Sequence, residues 1–454
     1  MKLKYKYDVI ILGSGDAGSE AAFMCAKAGL KVALVEAKKW GGSSLNSTNV
    51  PFGALFHASH TLKRAVMSAK LGLSSSNLRY NYPSLNNWKN FAMRRAKADS
   101  KADFEEAGIT CYSGVGRFLS THEISIGEEK IDAKRFIIAT GASVLDTGIK
   151  IPNNVNYWVS DNVLEMIRPP KSIFIVGAGS TGCELAQYFS TLGTEVMIAD
   201  IAGRLLPRED EEVGQVLDES FNKEGIKVLT QTRVVSLEKD GLKKKVVFMR
   251  GGQEKSIKVD EVLLCTGSAP NVDIGLENAG VIYDQNGIST TSDMRTSAKH
   301  IFAAGDVIGG HSSTDKAYID ARVAAAHVIN NRSKAFADYN GLIRVTNTYP
   351  EIAATGITED DCIKADRKYN KALLPLTVAP KSNTSNFYGG FVKIITTKSG
   401  KILGGTVMCP NAGIVIQELS LAIRYDMSVQ ELALAPHLTN DWCELIRSAA
   451  EELC

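Results

Sequence analysis

The sequence predicts an α/β protein in which one strand–turn–helix–strand unit occurs twice, followed by a C-terminal α+β domain. Three observations carry this. An apolar run, Tyr7–Leu12, leads into Gly13-Ser14-Gly15-Asp16-Ala17-Gly18, and a second, Ser172–Val176, leads into Gly177-Ala178-Gly179-Ser180-Thr181-Gly182. Each loop is followed by a helix-periodic stretch and then by a short apolar run ending in an acid, Glu36 or Asp200. From about Asp338 the pattern changes to alternating strands and helices with no glycine loop.

In such loops the first glycine permits the tight turn. The second lets backbone approach a pyrophosphate, and the third lets helix pack on strand. The helix N-terminus then presents free N–H groups to the phosphates. Gly13, Gly15, Gly18, Gly177, Gly179 and Gly182 are therefore candidate cofactor-binding residues in two Rossmann-type, dinucleotide-binding domains. Glu36 and Asp200 end their strands where a carboxylate accepts hydrogen bonds from ribose hydroxyls. A carboxylate at Asp200 repels a 2′-phosphate, so NADH is expected over NADPH, a preference tempered by Arg204 and Arg208 close behind. Two dinucleotides in one chain point to electron transfer between them. Asp16 is the odd residue: its charge either faces phosphates or turns outward to complement the helix dipole.

Taken in order, residues 19–29 read as the first helix and 31–35 as the next strand. Residues 54–70 read as a helix, 74–87 as a polar surface excursion, and 88–107 as a charged helix. Its Arg94-Arg95 and Glu105-Glu106 pairs are expected to be solvated. Residues 110–138 alternate like a small antiparallel sheet, ending at Ala139-Thr140-Gly141. After the second unit come a strand over 261–266 and the segment Ala303-Ala304-Gly305-Asp306-Val307, whose carboxylate is placed to bind a polyol such as ribityl. Strands at 390–396 and 402–408 and helices at 412–425 and 441–453 complete the last domain. The expected domains are 1–150 and 271–337 for the first dinucleotide, 151–270 for the second, and 338–454 for the α+β part.

Lys+Arg 52 against Asp+Glu 50 leaves a net charge of +2, which gives no electrostatic reason to expect nucleic acid or an anionic membrane as partner. No apolar run approaches the roughly 20 residues of a bilayer span, and the lysine-bearing N-terminus has no apolar signal core behind it. The expectation is a cytoplasmic protein without a membrane span. The eight cysteines are scattered, with no Cys-x-x-Cys, so neither a disulfide framework nor a metal site is expected. Cys454, the last residue, is expected to be exposed.

The order of these motifs resembles the FAD-dependent pyridine nucleotide-disulfide oxidoreductases, the family of dihydrolipoamide dehydrogenase, glutathione reductase and mercuric reductase. The likeness runs over essentially the whole chain. It is carried by the first loop with Glu36, Gly41-Gly42, Ala139-Thr140-Gly141, the second loop, Ala303–Val307, Tyr349-Pro350-Glu351-Ile352-Ala353 and His437. It implies FAD on the first loop, with Gly41, Gly42, Ser43, Gly116, Thr140, Gly141, Gly305, Asp306 and Thr314 among its binding residues. It implies the nicotinamide dinucleotide on the second, with Asp200, Val234 and Gly267. It also implies a C-terminal dimerisation domain and a homodimer with shared active sites.

The family pattern Gly-Gly-Thr-Cys-Leu-Asn-x-Gly-Cys-x-Pro-Ser-Lys becomes Gly41-Gly42-Ser43-Ser44-Leu45-Asn46-Ser47-Thr48-Asn49-Val50-Pro51-Phe52-Gly53. Ser44 and Asn49 stand where the family has its cysteines, and Gly53 where it has a lysine. The glutamate that pairs with that lysine is Glu184, and a nicotinamide-covering tyrosine found in some members falls at Ser180. His-Pro-Thr-x-x-Glu becomes His437-Leu438-Thr439-Asn440-Asp441-Trp442, with the histidine kept and its glutamate lost.

A redox disulfide needs one thiolate to attack substrate and another to exchange electrons with the flavin. A hydroxyl and an amide do neither. The expected activity is therefore hydride transfer from NADH to FAD, then to a small non-disulfide electron acceptor such as a quinone. The alternatives are a pyridine nucleotide transhydrogenase and a non-catalytic flavin-binding dimer. The candidate catalytic residues are His437 as proton donor from the other subunit, Glu184 with a raised pKa if buried, and Asn49 and Ser44 on the vacated face.

Overall fold

The computed structural model describes residues 5–73, 78, 80–96, 101–145 and 147–454. They divide into two compact units. One comprises Met1–Ala54, Asn87–Leu145 and Ser268–Tyr339, the other Leu55–Asn86, Asp146–Gly267 and Asn340–Cys454.

The first unit is built on a sheet of seven strands among the described residues. β1 (Tyr7–Leu12) is its centre because alternation is abandoned there: Val9 to Leu12 are all buried, as a strand covered on both faces requires. β1 pairs in parallel with β2 (Val32–Glu36) and with Glu129–Ile138, and Ile301–Ala303 pairs in parallel with the latter. α1 (Asp16–Lys27) makes the crossover between β1 and β2, burying Ala17, Ala21, Ala22 and Cys25. The long Thr314–Ile329 helix shares that core through Ala317, Ala321, Ala324 and Ala325. The sequence expectation for 110–138 is corrected at one end. Thr110–Ser113 pairs in parallel with β2, and only the later three strands form an antiparallel meander.

Beyond β2 come α2 (Gly42–Asn46) and α3 (Asn49–Met67). The latter begins earlier than residue 54 because Pro51 lies in its first turn, where backbone N–H groups have no intrahelical partner to lose. The same physics corrects the expected excursion over 74–87. Residues 74–77 and 79 lie outside the described residues, but Tyr82–Arg95 is a helix with Pro83 in its first turn. The expected 88–107 helix is thus two, Tyr82–Arg95 and Lys101–Glu106. Arg94, Arg95, Glu105 and Glu106 lie on the accessible sides of these helices.

The second unit holds a parallel five-stranded sheet in which Ser172–Val176 lies between Glu195–Ala199 and Glu261–Leu264. A three-stranded meander over Thr232–Asp240, Lys243–Arg250 and Gln253–Val259 packs on it through Val234, Leu237, Val246 and Phe248. The C-terminal part is an antiparallel sheet, ordered Ile343–Thr346, Glu351–Gly356, Ile402–Cys409, Phe391–Thr396, Asn370–Pro375. Its core collects Trp442, Leu445, Ile446 and Leu419 from the C-terminal helices. No helix among the described residues is long and apolar enough to cross a membrane, and no three His, Cys, Asp or Glu gather as a metal site there.

Candidate functional site

The first glycine loop is closed by contacts that only glycine allows. A Cβ on Gly18 would stand 1.8 Å from the Gly13 carbonyl oxygen, and one on Gly13 would stand 2.2 Å from that of Ala139. Gly42 has φ +65°, and a Cβ there would meet the Gly15 Cα at 2.4 Å. The Gly41-Gly42 turn therefore lies flat on the loop. Ser14 ties the parts together. Its Oγ accepts from Gly41 N–H at 3.1 Å and donates to Glu36 Oε2 at 2.7 Å, while Glu36 Oε1 accepts from Lys38 N–H. A carboxylate offers about four lone pairs, so Glu36 retains capacity for ribose hydroxyls.

Thr140 and Gly141 are held by a second strap. Thr140 Oγ1 donates to the Asn271 carbonyl at 2.8 Å, and Asn271 N–H donates to the Gly141 carbonyl at 2.9 Å. Gly305 (φ +80°) donates its N–H to Asp320 Oδ2 at 3.1 Å, and Lys316 Nζ pairs with the same oxygen at 2.8 Å. Burial raises the Asp306 carboxyl, against the attraction of Lys316. Gly116 is buried in its strand, where a Cβ would press on Leu12 at 2.7 Å.

Asp16 does not turn outward. Its Oδ2 accepts from Thr314 Oγ1 at 3.0 Å, and Ser44 Oγ lies 3.4 Å from the same hydroxyl. Ser43 is exposed. Asn49 is exposed at the first turn of α3, and Gly53 lies one turn on with open space around it. This cradle fits a dinucleotide: glycine backbones meet where side chains would fill the space, and an acid is held at the end of β2.

In the second unit the same construction recurs. A Cβ on Gly177 would stand 2.2 Å from the Cys265 carbonyl oxygen, one on Gly182 would stand 1.9 Å from that of Gly177, and one on Gly179 would meet nothing within 4 Å. Asp200 accepts from Ala178 N–H at 2.6 Å and from Ala202 N–H at 2.8 Å. Arg204 is committed to the carbonyls of Pro207 and Glu209 and to Asp360, whereas Arg208 is exposed. Val234 is buried in the sheet-packing core, and Gly267 has φ +95° with open space beside it.

Glu184 is buried on the Ser180–Thr191 helix. Burial pushes its carboxyl up to about 7, although its Oε1 accepts from both Asn347 N–H and Asn347 Nδ2. His60 Nε2 is 3.0 Å from the Asn347 carbonyl. His437 is set by a residue that sequence reading did not find. Its Nε2 lies 2.6 Å from Glu418 Oε1, an ion-pair contact off the line of a good hydrogen bond, and its Nδ1 lies 2.7 Å from the Ala435 carbonyl. Glu418 sits on the Gln417–Arg424 helix, well before the histidine in sequence, so no local motif could have announced it.

Residues 7–327 match the family model for pyridine nucleotide-disulphide oxidoreductase, and residues 343–444 match the model for the dimerisation domain of such proteins. Mitochondrial dihydrolipoyl dehydrogenase 2 of Arabidopsis thaliana is 32% identical over 456 residues, covering 98% of this chain and 89% of that protein. Mercuric reductase of Staphylococcus aureus is 30% identical over 439 residues, covering 95% and 80%. Among solved structures, LpdA from Mycobacterium tuberculosis superposes with a TM-score of 0.87 at 24% identity, covering 98% of this chain and 99% of that one. The HOCl-induced flavoprotein disulfide reductase RclA from Escherichia coli does so with 0.86 at 21%, covering 98% and 99%. At those identities the two structures show the shared fold.

Proposed function

The chain belongs to the pyridine nucleotide-disulphide oxidoreductases, FAD-dependent oxidoreductases that use NAD(P), and we propose that it reduces a small non-disulfide acceptor, a quinone or similar molecule, with NADH. One feature of the sequence supports this reading: by the resemblance, serine and asparagine, Ser44 and Asn49, stand where the family has its cysteines. Thiol–disulfide exchange needs a thiolate, which neither a hydroxyl nor an amide supplies.

In this reading the first loop, Glu36, the Gly41-Gly42 turn and Asp306 would hold FAD, which when bound would supply hydride acceptance and onward electron transfer. The second loop holds the nicotinamide dinucleotide, and Asp200 accepts hydrogen bonds from its ribose. Arg204 already engages Asp360 and two carbonyls through Nη2, which lowers its availability to a 2′-phosphate and supports NADH. Glu184 accepts from the carboxamide of the nicotinamide. His437, steered by Glu418 in place of the lost glutamate, donates the acceptor's proton in a homodimer. Ser44 and Asn49 offer hydrogen bonds where a disulfide would otherwise lie.

The test is anaerobic reduction by NADH and by NADPH, followed by mixing with quinones, NAD analogues, lipoamide and glutathione disulfide. Fast reoxidation by quinones with none by the disulfides is expected. Reoxidation by NAD analogues alone would make the protein a transhydrogenase, and a flavin that neither nucleotide bleaches would make it a non-catalytic binder.

A further inference from the structure

Asp16 is the one charged residue inside either glycine loop; the second loop has Ser180 at the matching place. A carboxylate is the wrong charge for a turn that receives a diphosphate, yet this one faces inward. Thr314 Oγ1 donates to it at 3.0 Å, and the Ser44 hydroxyl lies 3.4 Å from that of Thr314. The other charges bearing on it are negative: Asp306, just ahead of the Thr314–Ile329 helix, and Asp315 in that helix's first turn. The nearby cation, Lys316, is engaged with Asp320 at 2.8 Å. Burial already holds the Asp16 carboxyl above the ordinary aspartate range, against the pull of the two hydroxyls.

We propose that flavin binding on the first loop is coupled to protonation of Asp16, which then stands beside the phosphates as a neutral hydrogen-bond donor held by Thr314. Two more negative charges arriving at a part-buried carboxylate that already feels Asp306 and Asp315 favour its protonation. The coupling gives the protein a flavin affinity that falls as pH rises. It rests on that part of the functional reading which puts FAD on the first loop, and is independent of which acceptor is reduced.

The experiment is calorimetric titration of the flavin-stripped full chain with FAD, in paired buffers of different ionisation heat, from about pH 5 to about pH 9. The wild type is expected to take up as much as one proton per FAD. Its affinity should weaken by up to about tenfold per pH unit through the window between the free and bound pKa values. Asp16→Asn, and Asp16→Ser, which copies the second loop, should bind with no proton uptake, with nearly constant affinity, and more tightly than wild type at the alkaline end. Tight binding by the wild type with no proton uptake, or uptake that persists in both variants, overturns the proposal. Failure of all three proteins to bind FAD at any pH overturns the placement of the flavin and the proposal with it.

Discussion

Asn347 donates both its backbone N–H and its side-chain amide to one oxygen of Glu184, at 2.6 and 2.8 Å. The two bonds favour the carboxylate, but burial outweighs them and pushes the group up to about 7 from its usual 4.5. A raised acid binds its proton more tightly in the folded state. Its stabilising contribution is complete below about pH 4.5 and is lost as pH rises through about 7. Glu184→Gln keeps an oxygen for Asn347 and carries no charge. It should be more stable than wild type by about 2–4 kcal/mol at pH 8, with the difference closing by pH 4, as read by denaturant unfolding of the flavin-free protein.

Lys393 is fully buried with Nζ at 2.7 Å from Glu359, 2.8 Å from Glu212 and 3.3 Å from Asp210. Removing the cation leaves three carboxylates facing one another. Lys393→Met should cost about 3–5 kcal/mol at pH 7. Burial alone would raise Glu359, but hydrogen bonds from Lys371, Lys393 and Tyr369 win and hold it at about 2. That contribution is present above the ordinary glutamate range and lost as pH falls toward 2, so the deficit of the variant should shrink in acid. Unfolding curves at pH 7 and pH 3 check both points.

Gly42→Ala would place a methyl 2.4 Å from the Gly15 Cα, backbone against backbone, at φ +65°. Nothing there can yield cheaply. The expected outcome is a folded protein that purifies without colour, its FAD affinity reduced more than about tenfold, measured by fluorescence titration.

The imidazole of His437 lies between Glu418 and the Ala435 carbonyl, so both ring nitrogens face acceptors. His437→Ala should leave bleaching by NADH at the wild-type rate and slow reoxidation by quinone by roughly 10²-fold. Glu418→Gln should slow the same step by less. Stopped-flow mixing separates the two halves of the reaction.

The parts of this molecule written locally could be read from sequence. An apolar run before a glycine loop, and an acid at the end of the next strand, identify both nucleotide units, since strand, turn and helix N-terminus are adjacent in the chain. What escaped reading is contact at a distance. Asn347 reaches Glu184 and Glu418 reaches His437 only through the tertiary fold. Asp16 left two orientations open, and Thr314, remote in sequence, decides between them. Two helices start earlier than their apolar periodicity suggests, with Pro51 and Pro83 in their first turns, where a proline removes no hydrogen bond.

The central claim, that this protein carries no redox disulfide beside its flavin, is tested most directly by counting electrons. In an anaerobic dithionite titration the account predicts full bleaching of FAD at about two electrons per flavin, with no long-wavelength thiolate–flavin band on the way. Uptake of about four electrons, with such a band at the midpoint, would contradict it.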